Sequence, residues 1–599
     1  MKKTFILSVL SLFTILNSEA QILNAWVLGD GEKVFREDNS HPDRNGNSIW
    51  DGKTIRLRGL YNEVLAFQVI VEAPLEGTKS VEVSVDNPVQ KESGKAIGGN
   101  TLKYGPAGTI EIFSEHYLQV IDSTKALWFY GSKSSAPEVM TGWIPDPLIP
   151  TDAFRGRGGF PLDIPSVGVK DKKFINKKFQ NQGFWIDIHL PRDQKSFKPG
   201  IYKGSVKIIE KGKTFREIPL EITLLPAYLT DKNPTNIWLF NDNYAQYFQG
   251  MSKENFDIMI KFEAHRHRMN LSGGFKVNSM PFNADSMNAY KPYLDGSAFT
   301  PKNGYNGPGE GTSEAIFPIG MYGTKVLGDT KEELWKQSDL WVDWFEKNAP
   351  SITYFLYIID EPTAPAYPFI KEKAGWLKSN PGPGKKLPVF TTSHYQDELN
   401  DYIDIWAGFD GADMKYVKQL RDKGGDYWFY NGVRPRTGTV ILEAKAADFI
   451  VNCWIMYKYG ISEWFIWEST VWTGGSGRMR AGLHQRLFSD PLVFINDSLN
   501  FANGGGSGFY PGRMPYYPDE DRGLNQILSS VRFKEIRRGQ QDAAIMWMAE
   551  QKAGRDKVLK IINRIVPKAM YEVDTNDKVP WSETGDEYDR VRQELLDLL

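Results

Sequence analysis

The feature that most constrains this chain is a series of short apolar segments between about residues 235 and 470, with amphipathic stretches between them. Ile237-Trp238-Leu239-Phe240, Leu271 to Val277, Tyr354 to Ile359, Pro388-Val389-Phe390, Asp404-Ile405-Trp406, Tyr427 to Tyr430 and Glu463 to Trp467 each suit one buried strand. Helices are predicted from Ser252 to about Arg268, from Asp413 to Lys423 and from Ala444 to Tyr459. Another opens at the capping box Thr330-x-x-Glu333, with Leu334, Trp341, Trp344 and Phe345 on one broad face. Such alternation over about 250 residues predicts a (β/α)8 TIM barrel. Its third strand is expected near Ile316 to Ile319. Tyr588, Val591, Leu595 and Leu598 share a helical face, so C-terminal helices are expected to pack on the barrel.

A chain of 599 residues is too long for one core, and the sequence before the barrel has a different rhythm. Phe184, Ile186, Ile188 and Leu190 alternate with Trp185, Asp187 and His189. Val81, Val83 and Val85, and then Ile218, Leu220, Ile222 and Leu224, repeat the pattern. Period-2 alternation between turn residues predicts half-buried antiparallel strands, closed as a β-sandwich over residues 22–230. Pro226 to Pro234 is the expected linker, and 235–599 the barrel with its helical extension.

At the N-terminus, Lys2 and Lys3 precede an apolar run, Phe5 to Leu16, that is too short to span a bilayer. Ser18-Glu19-Ala20 has the form of a cleavage site, so residues 1–20 are expected to be a signal peptide. No later stretch reads as a transmembrane helix. The only cysteine, Cys453, lies in an apolar context and reads as a small buried hydrophobe. Export without disulfides points to a bacterial periplasmic or secreted protein. The net charge of −2 gives no electrostatic case for nucleic acid. Aromatic residues make up 13% of the chain, which suits either a large core or stacking against sugar rings.

Functional groups of a TIM barrel come from the C-terminal ends of its strands. The apolar run Tyr354 to Ile359 leads directly into Asp360-Glu361-Pro362. Two carboxyls there are costly to desolvate, which marks them as the candidate catalytic pair. Adjacent residues point to opposite sides of a strand, so the pair does not readily flank a glycosidic bond from both faces. It suits a division of labour in which one acid orients a substrate group while the other protonates the leaving oxygen. Substrate-assisted catalysis through a 2-acetamido group has this form. Other strand ends place aromatic and hydrogen-bonding groups together: His394 and Tyr395; Tyr430 and Asn431, with Arg434 beyond; Trp467 and Glu468, with Trp472 beyond. These are the candidate substrate-binding residues. Glu468 is also the rival carboxylate; its other roles would be binding a substrate hydroxyl or an internal ion pair with Arg434 or Arg480. The long Gly-rich stretch Asp295 to Gly323 is expected to wall the cleft.

Several motifs are set aside. His265-Arg266-His267-Arg268 places its histidines on different helix faces, so it is read as charge at a helix C-terminus and not as a metal site. Gly504-Gly505-Gly506 lacks the Lys and Ser/Thr of a phosphate loop. Asp519-Glu520-Asp521 is read as a solvated loop. No metal or cofactor is required.

An ordered set of residues resembles a known family. It comprises His265 to Asn270, Asp295-Gly296-Ser297, Asp360-Glu361-Pro362, Trp428 to Gly432, Trp467-Glu468-Ser469, Tyr510-Pro511-Gly512, Ser530-Val531-Arg532 and Arg537 to Asp542. Over roughly 230–550 it resembles glycoside hydrolase family 123 and, more broadly, the group named domain of unknown function 4091. The resemblance implies a retaining exo-β-N-acetylgalactosaminidase whose partner is a glycan or glycoconjugate with a terminal amino sugar. It implies that Asp360 orients the acetamido group and stabilises an oxazolinium, with Glu361 as acid/base. Two other readings stay open: a neutral-sugar glycosidase pairing Glu361 with Glu468, and a catalytically silent glycan-binding protein.

Overall fold

The computed structural model describes residues 21–98, 107–125, 129, 131–168, 170–272, 276–321, 323–474, 482–495 and 501–599. Segment 1–20, where the signal peptide is expected, and Arg480 lie outside them. Ten strands form the N-terminal sandwich: β1 (Asn24–Gly29), β2 (Ile55–Tyr61), β3 (Val64–Ala73), β4 (Thr78–Val85), β5 (Thr109–Val120), β6 (Gly142–Pro150), β7 (Leu162–Ile164), β8 (Gln180–His189), β9 (Gly200–Glu210) and β10 (Lys213–Tyr228). One sheet runs β1-β3-β8-β5-β6 and the other β2-β10-β9-β4-β7. Neighbouring strands are antiparallel except β2 and β10, which run parallel. β10 continues to Tyr228, three residues into the expected linker.

The alternation in β8 predicted a half-buried strand, but both of its faces are buried. Phe184, Ile186 and Ile188 pack in the sandwich core with Val69, Val71, Leu220 and Ile222. The other face meets the second domain. Trp185 packs with Leu148 and Val531, and Asp187 accepts from Lys534 and Arg537.

The second domain is built on eight parallel strands: β11 (Asn236–Leu239), β12 (Asn270–Leu271), β13 (Ile316–Ile319), β14 (Thr353–Ile359), β15 (Val389–Thr391), β16 (Ile405–Gly408), β17 (Asp426–Tyr430) and β18 (Glu463–Ile466). They pair in the order β12-β11-β18-β17-β16-β15-β14-β13. Of the second strand expected over Leu271 to Val277, only Leu271 belongs to β12, residues 273–275 lie outside the described residues, and Lys276 and Val277 begin a 3-10 turn; the third strand lies at Ile316–Ile319 as expected. The barrel is nearly closed. Side chains bridge its remaining seam: Ala315 N donates to Asn270 Oδ1 (2.8 Å), and Lys261 joins the Leu271 carbonyl to Glu314.

Helices α1 (Lys253–Arg266), α2 (Ala284–Leu294), α3 (Lys331–Asn348), α4 (Tyr367–Lys378), α5 (Met414–Asp422) and α6 (Ala446–Tyr459) lie between the strands. β15 and β16 are joined by only a 3-10 turn at Asp397–Leu399. The barrel interior is unusually aromatic, where branched aliphatics are the norm. Trp238, Phe240, Phe355, Tyr357, Phe390, Trp428, Tyr430 and Phe465 fill it, with Trp238 and Phe465 stacked at 3.8 Å. Much of the aromatic content is thus core.

After the barrel come α7 (Val531–Ala553), α8 (Arg555–Ile562) and α9 (Gly585–Leu596). α7 packs on α6 so closely that a Cβ at Gly539 would lie 2.9 Å from the Ile450 carbonyl and 3.0 Å from Cys453 Sγ. Cys453 is buried and free. The polar side of α7 faces the sandwich. Arg532 holds Asp146, Lys534 and Arg537 hold Asp187, and Arg538 holds Asp30. Gln541 accepts from Val64 N and donates to Val64 O, both at 2.9 Å. α9 adds Arg592 to Glu63 and packs Gly585 against Gly31.

Three expectations fail on topology and burial. Residues 295–315 precede β13, so they lie at the N-terminal mouth of the barrel, away from the strand ends that carry Asp360 and Glu361. There Glu310 pairs with Arg192 of the sandwich (2.6 Å), and Gly309 O meets His265 Nε2 (2.8 Å). The histidines at the end of α1 are not helix-terminal charges. Burial lowers His265 to about 4 and takes His267 well below its ordinary value, so both are neutral. Glu520, expected in a solvated loop, is buried and accepts from Phe488 N and Ser489 Oγ.

Candidate active site

β14 alternates between two environments. Phe355 and Tyr357 point into the barrel, while Leu356 and Ile358 join the outer core under the helices. The strand ends at Ile359 and the chain turns sharply, with Glu361 at φ 43°. A non-glycine residue in this left-handed region is strained, and strain of this kind concentrates at functional sites.

Thr392, directly beyond β15, holds the turn. Its Oγ1 donates to Asp360 Oδ1 (2.6 Å) and accepts from Glu361 N (2.9 Å). Tyr357 OH also donates to Asp360 Oδ1 (2.7 Å). One buried hydroxyl therefore fixes both residues of the pair. Desolvation raises the Glu361 carboxyl to about 7; the Asp360 charge adds to this, and a hydrogen bond with Tyr430 opposes it. An acid poised there holds a proton to donate near neutral pH.

β18 lies four places from β14 in the eight-stranded order, directly across the mouth. Trp467, at its end, packs against the aromatic interior. A Cβ on Gly506 would lie 3.1 Å from the Trp467 ring and 2.6 Å from Val471, so this glycine lets the covering loop approach. Glu468 follows. Its Oε1 accepts from Ser469 N and Thr470 N (both 2.8 Å) and from Thr470 Oγ1 (3.2 Å). Desolvation raises its carboxyl to about 8, and the charge of Asp242 adds to that. Asn431, at φ 55°, ties β17 to β18: its Oδ1 accepts from Trp467 N (2.8 Å) and its N donates to Phe465 O (2.7 Å).

A third group forms the rim beyond β15 and β16. His394 Nδ1 meets Tyr571 OH at 3.0 Å, and His394 Nε2 is 3.7 Å from Asp410 Oδ1. Arg436 donates to Asp410 Oδ2 (2.9 Å) and lies over the Tyr571 ring at 4.1 Å. Among the described residues no three His, Cys, Asp or Glu side chains converge as a metal-binding group.

This architecture has a solved counterpart. Over 96% of this chain and 98% of the other, the structure superimposes on a family 123 glycoside hydrolase from Clostridium perfringens, with a TM-score of 0.61 and 12% identity. The likeness covers nearly the whole of both chains and shows a shared fold. A family 39 glycoside hydrolase from Bacteroides cellulosilyticus aligns over 70% of this chain and 78% of its own, at 10% identity and a TM-score of 0.27, and adds nothing to the fold assignment. No protein-family model and no curated protein matches the sequence.

The strand ends bring together Asp360, Glu361, Tyr430, Asn431, Trp467, Glu468 and His394. Three other candidates lie elsewhere. Arg434 is buried and ion-paired with Asp448 (2.7 Å) and Glu583, so it pairs neither with Glu468 nor with a ligand at the mouth. Trp472 is fully buried, donates to Phe509 O (2.9 Å) and packs on Tyr244 and Tyr247. Tyr395 stacks on Tyr416 of α5 at 3.9 Å, in the helix layer outside the barrel. Sequence reasoning missed Asp242, Asp410 and Tyr571. Asp242 lies three residues beyond the end of β11 and Asp410 two beyond β16, so the strand-end rule reaches both. Tyr571 comes from the C-terminal segment, more than 140 residues after the first residue of its neighbour β17, and has no local signal.

Proposed function

We propose that this protein is a glycoside hydrolase that removes a β-linked N-acetylgalactosamine from a glycan, using the substrate's own 2-acetamido group as nucleophile. The observation that carries the reading is the shared Thr392 hydroxyl, which holds two adjacent acids in one orientation, with Glu361 placed to keep a proton. Asp360 would orient the acetamido group and stabilise the oxazolinium. Glu361 would protonate the leaving oxygen and then deprotonate the water that opens the oxazolinium. The family 123 enzyme from Clostridium perfringens is known for glycolipid glycan hydrolysis, and the fold it shares with this chain supports the same reaction class here. With segment 1–20 read as an export signal, the substrate is met outside the cytoplasm.

The neutral-sugar reading pairs Glu361 with Glu468 across the mouth. Glu468 suits it poorly: burial and the Asp242 charge raise its carboxyl to about 8, against the hydrogen bonds at Oε1, whereas a nucleophile or base must be ionised. Aryl β-galactosides with and without a 2-acetamido group decide between the two. Turnover confined to the acetamido substrate is expected, and equal turnover removes the assisted mechanism. Sugar binding without hydrolysis of either substrate supports the silent glycan-binding reading.

A further inference from the structure

Glu468 and Asp242 form a second carboxyl pair at the mouth, one that the catalytic step does not use. They come from neighbouring strands, Asp242 beyond β11 and Glu468 beyond β18. Thr470 joins them. Its Oγ1 accepts from Asp242 N (2.9 Å), and its side chain and N both donate to Glu468 Oε1. Further bonds staple the two strand ends: Ser469 Oγ to Phe240 O (2.7 Å), Ser469 N to the same carbonyl (3.0 Å), and Thr473 N to Tyr244 OH (3.2 Å). The pair is therefore anchored through its backbone, with Glu468 largely buried and Asp242 exposed. Three donors converge on Glu468 Oε1, while Oε2 is not among the buried side-chain atoms left without a partner.

Its position sets what it can hold. In the proposed function, on which this inference rests, Asp360 engages the substituent at C2 and Glu361 the oxygen at C1. Both lie beyond β14, across the mouth from β18. In a pyranose the edge opposite the C1–C2 bond carries C4 and the C6 hydroxymethyl group. We infer that Asp242 and Glu468 are a hydroxyl clamp for the C4 and C6 groups of the bound sugar, and that they set the enzyme's preference at C4. Burial raises the Glu468 carboxyl to about 8, which favours a proton there to donate, and the Asp242 carboxyl supplies acceptor oxygens; two hydroxyl groups require both. A site built to hydrogen-bond a hydroxyl rejects analogues lacking it, because its own groups are left unpaired.

The test is calorimetric binding of the methyl β-glycoside of N-acetylgalactosamine, and of its 4-deoxy, 6-deoxy and C4-epimeric analogues, to the full chain and to Asp242→Asn and Glu468→Gln. The side chain introduced by Glu468→Gln retains an amide oxygen for Ser469 N and Thr470 N, so the loop stays anchored, and an unchanged Tm checks this. Each substitution is expected to weaken binding of the parent sugar about 10- to 100-fold, to change binding of one deoxy analogue little, and to narrow the preference between C4 epimers. Equal losses on the parent and on both deoxy analogues, or no loss on any, overturn the clamp. A wild-type chain that binds none of these sugars overturns the functional reading itself, and the clamp with it. A wild-type chain that binds them without the deoxy pattern overturns only the clamp.

Discussion

The Thr392 hydroxyl is shared between Asp360 and the backbone of Glu361, so Thr392→Val removes both bonds while nearly conserving volume. The expected result is a fall in kcat of about 10- to 100-fold with KM and Tm little changed, because orientation is lost and not packing. In the proposed mechanism Glu361 supplies the pH dependence. It must be protonated to act as an acid, and its carboxyl sits at about 7, so kcat/KM is expected to fall as pH rises through that value. Glu361→Gln should abolish that alkaline limb and lower kcat about 100- to 10,000-fold on substrates with poor leaving groups. The acid pair was legible because an apolar run ended in two carboxyls. Its neighbours were only partly legible. Phe390 points into the barrel from β15, while Tyr395 stacks on α5 in the helix layer; the chain beyond Thr391 is no longer strand, so alternation does not decide the side that Thr392, His394 and Tyr395 take. Arg434 could not be read from its surroundings, because its partner Asp448 is set by the docking of α6.

At the scale of elements, β8 and α7 show how burial by a second domain overrides local patterning. The alternating polar residues of β8 and the charges of α7 look solvated in sequence, yet they face each other in the interior. Asp187, between Lys534 and Arg537, is held well below the usual carboxylate range: its burial is opposed by both cations. Asp187→Asn removes the buried carboxylate to which both cations bond and should cost about 3–5 kcal/mol in denaturant unfolding. Glu115 on β5 works in the opposite direction. Among the described residues its buried oxygens find no hydrogen-bond donor, and desolvation raises it to about 8. The folded state therefore prefers the neutral acid, and stability is lost as pH rises from the ordinary carboxylate range through about 8. Glu115→Gln should flatten the decline in Tm between about pH 5 and pH 9, and an unchanged decline would contradict this assignment.

For the molecule as a whole, the barrel was legible in strand lengths and spacing, down to its short third strand. The seam closed by Asn270 and Lys261 and the placement of residues 295–315 were not, because they depend on which end of the barrel each connection reaches. The interface between sandwich and barrel is equally absent from local sequence. It is lined by Asp30, Asp146 and Asp187 on one side and by Arg532, Lys534, Arg537 and Arg538 on the other. Removing either domain strands these charges, so residues 231–599 alone are expected to be insoluble and the full chain to unfold in one calorimetric transition. A soluble, folded fragment would contradict that coupling.

The central claim, that the substrate's acetamido group is the nucleophile beside Asp360, is tested most directly by hydrolysis rates of aryl β-N-acylgalactosaminides bearing zero, one, two or three fluorines on the acyl methyl group. Fluorine withdraws electrons from the amide oxygen. A steep, regular fall in kcat with fluorination is the predicted result. A flat series would show that the oxygen takes no part in bond making and would contradict the claim.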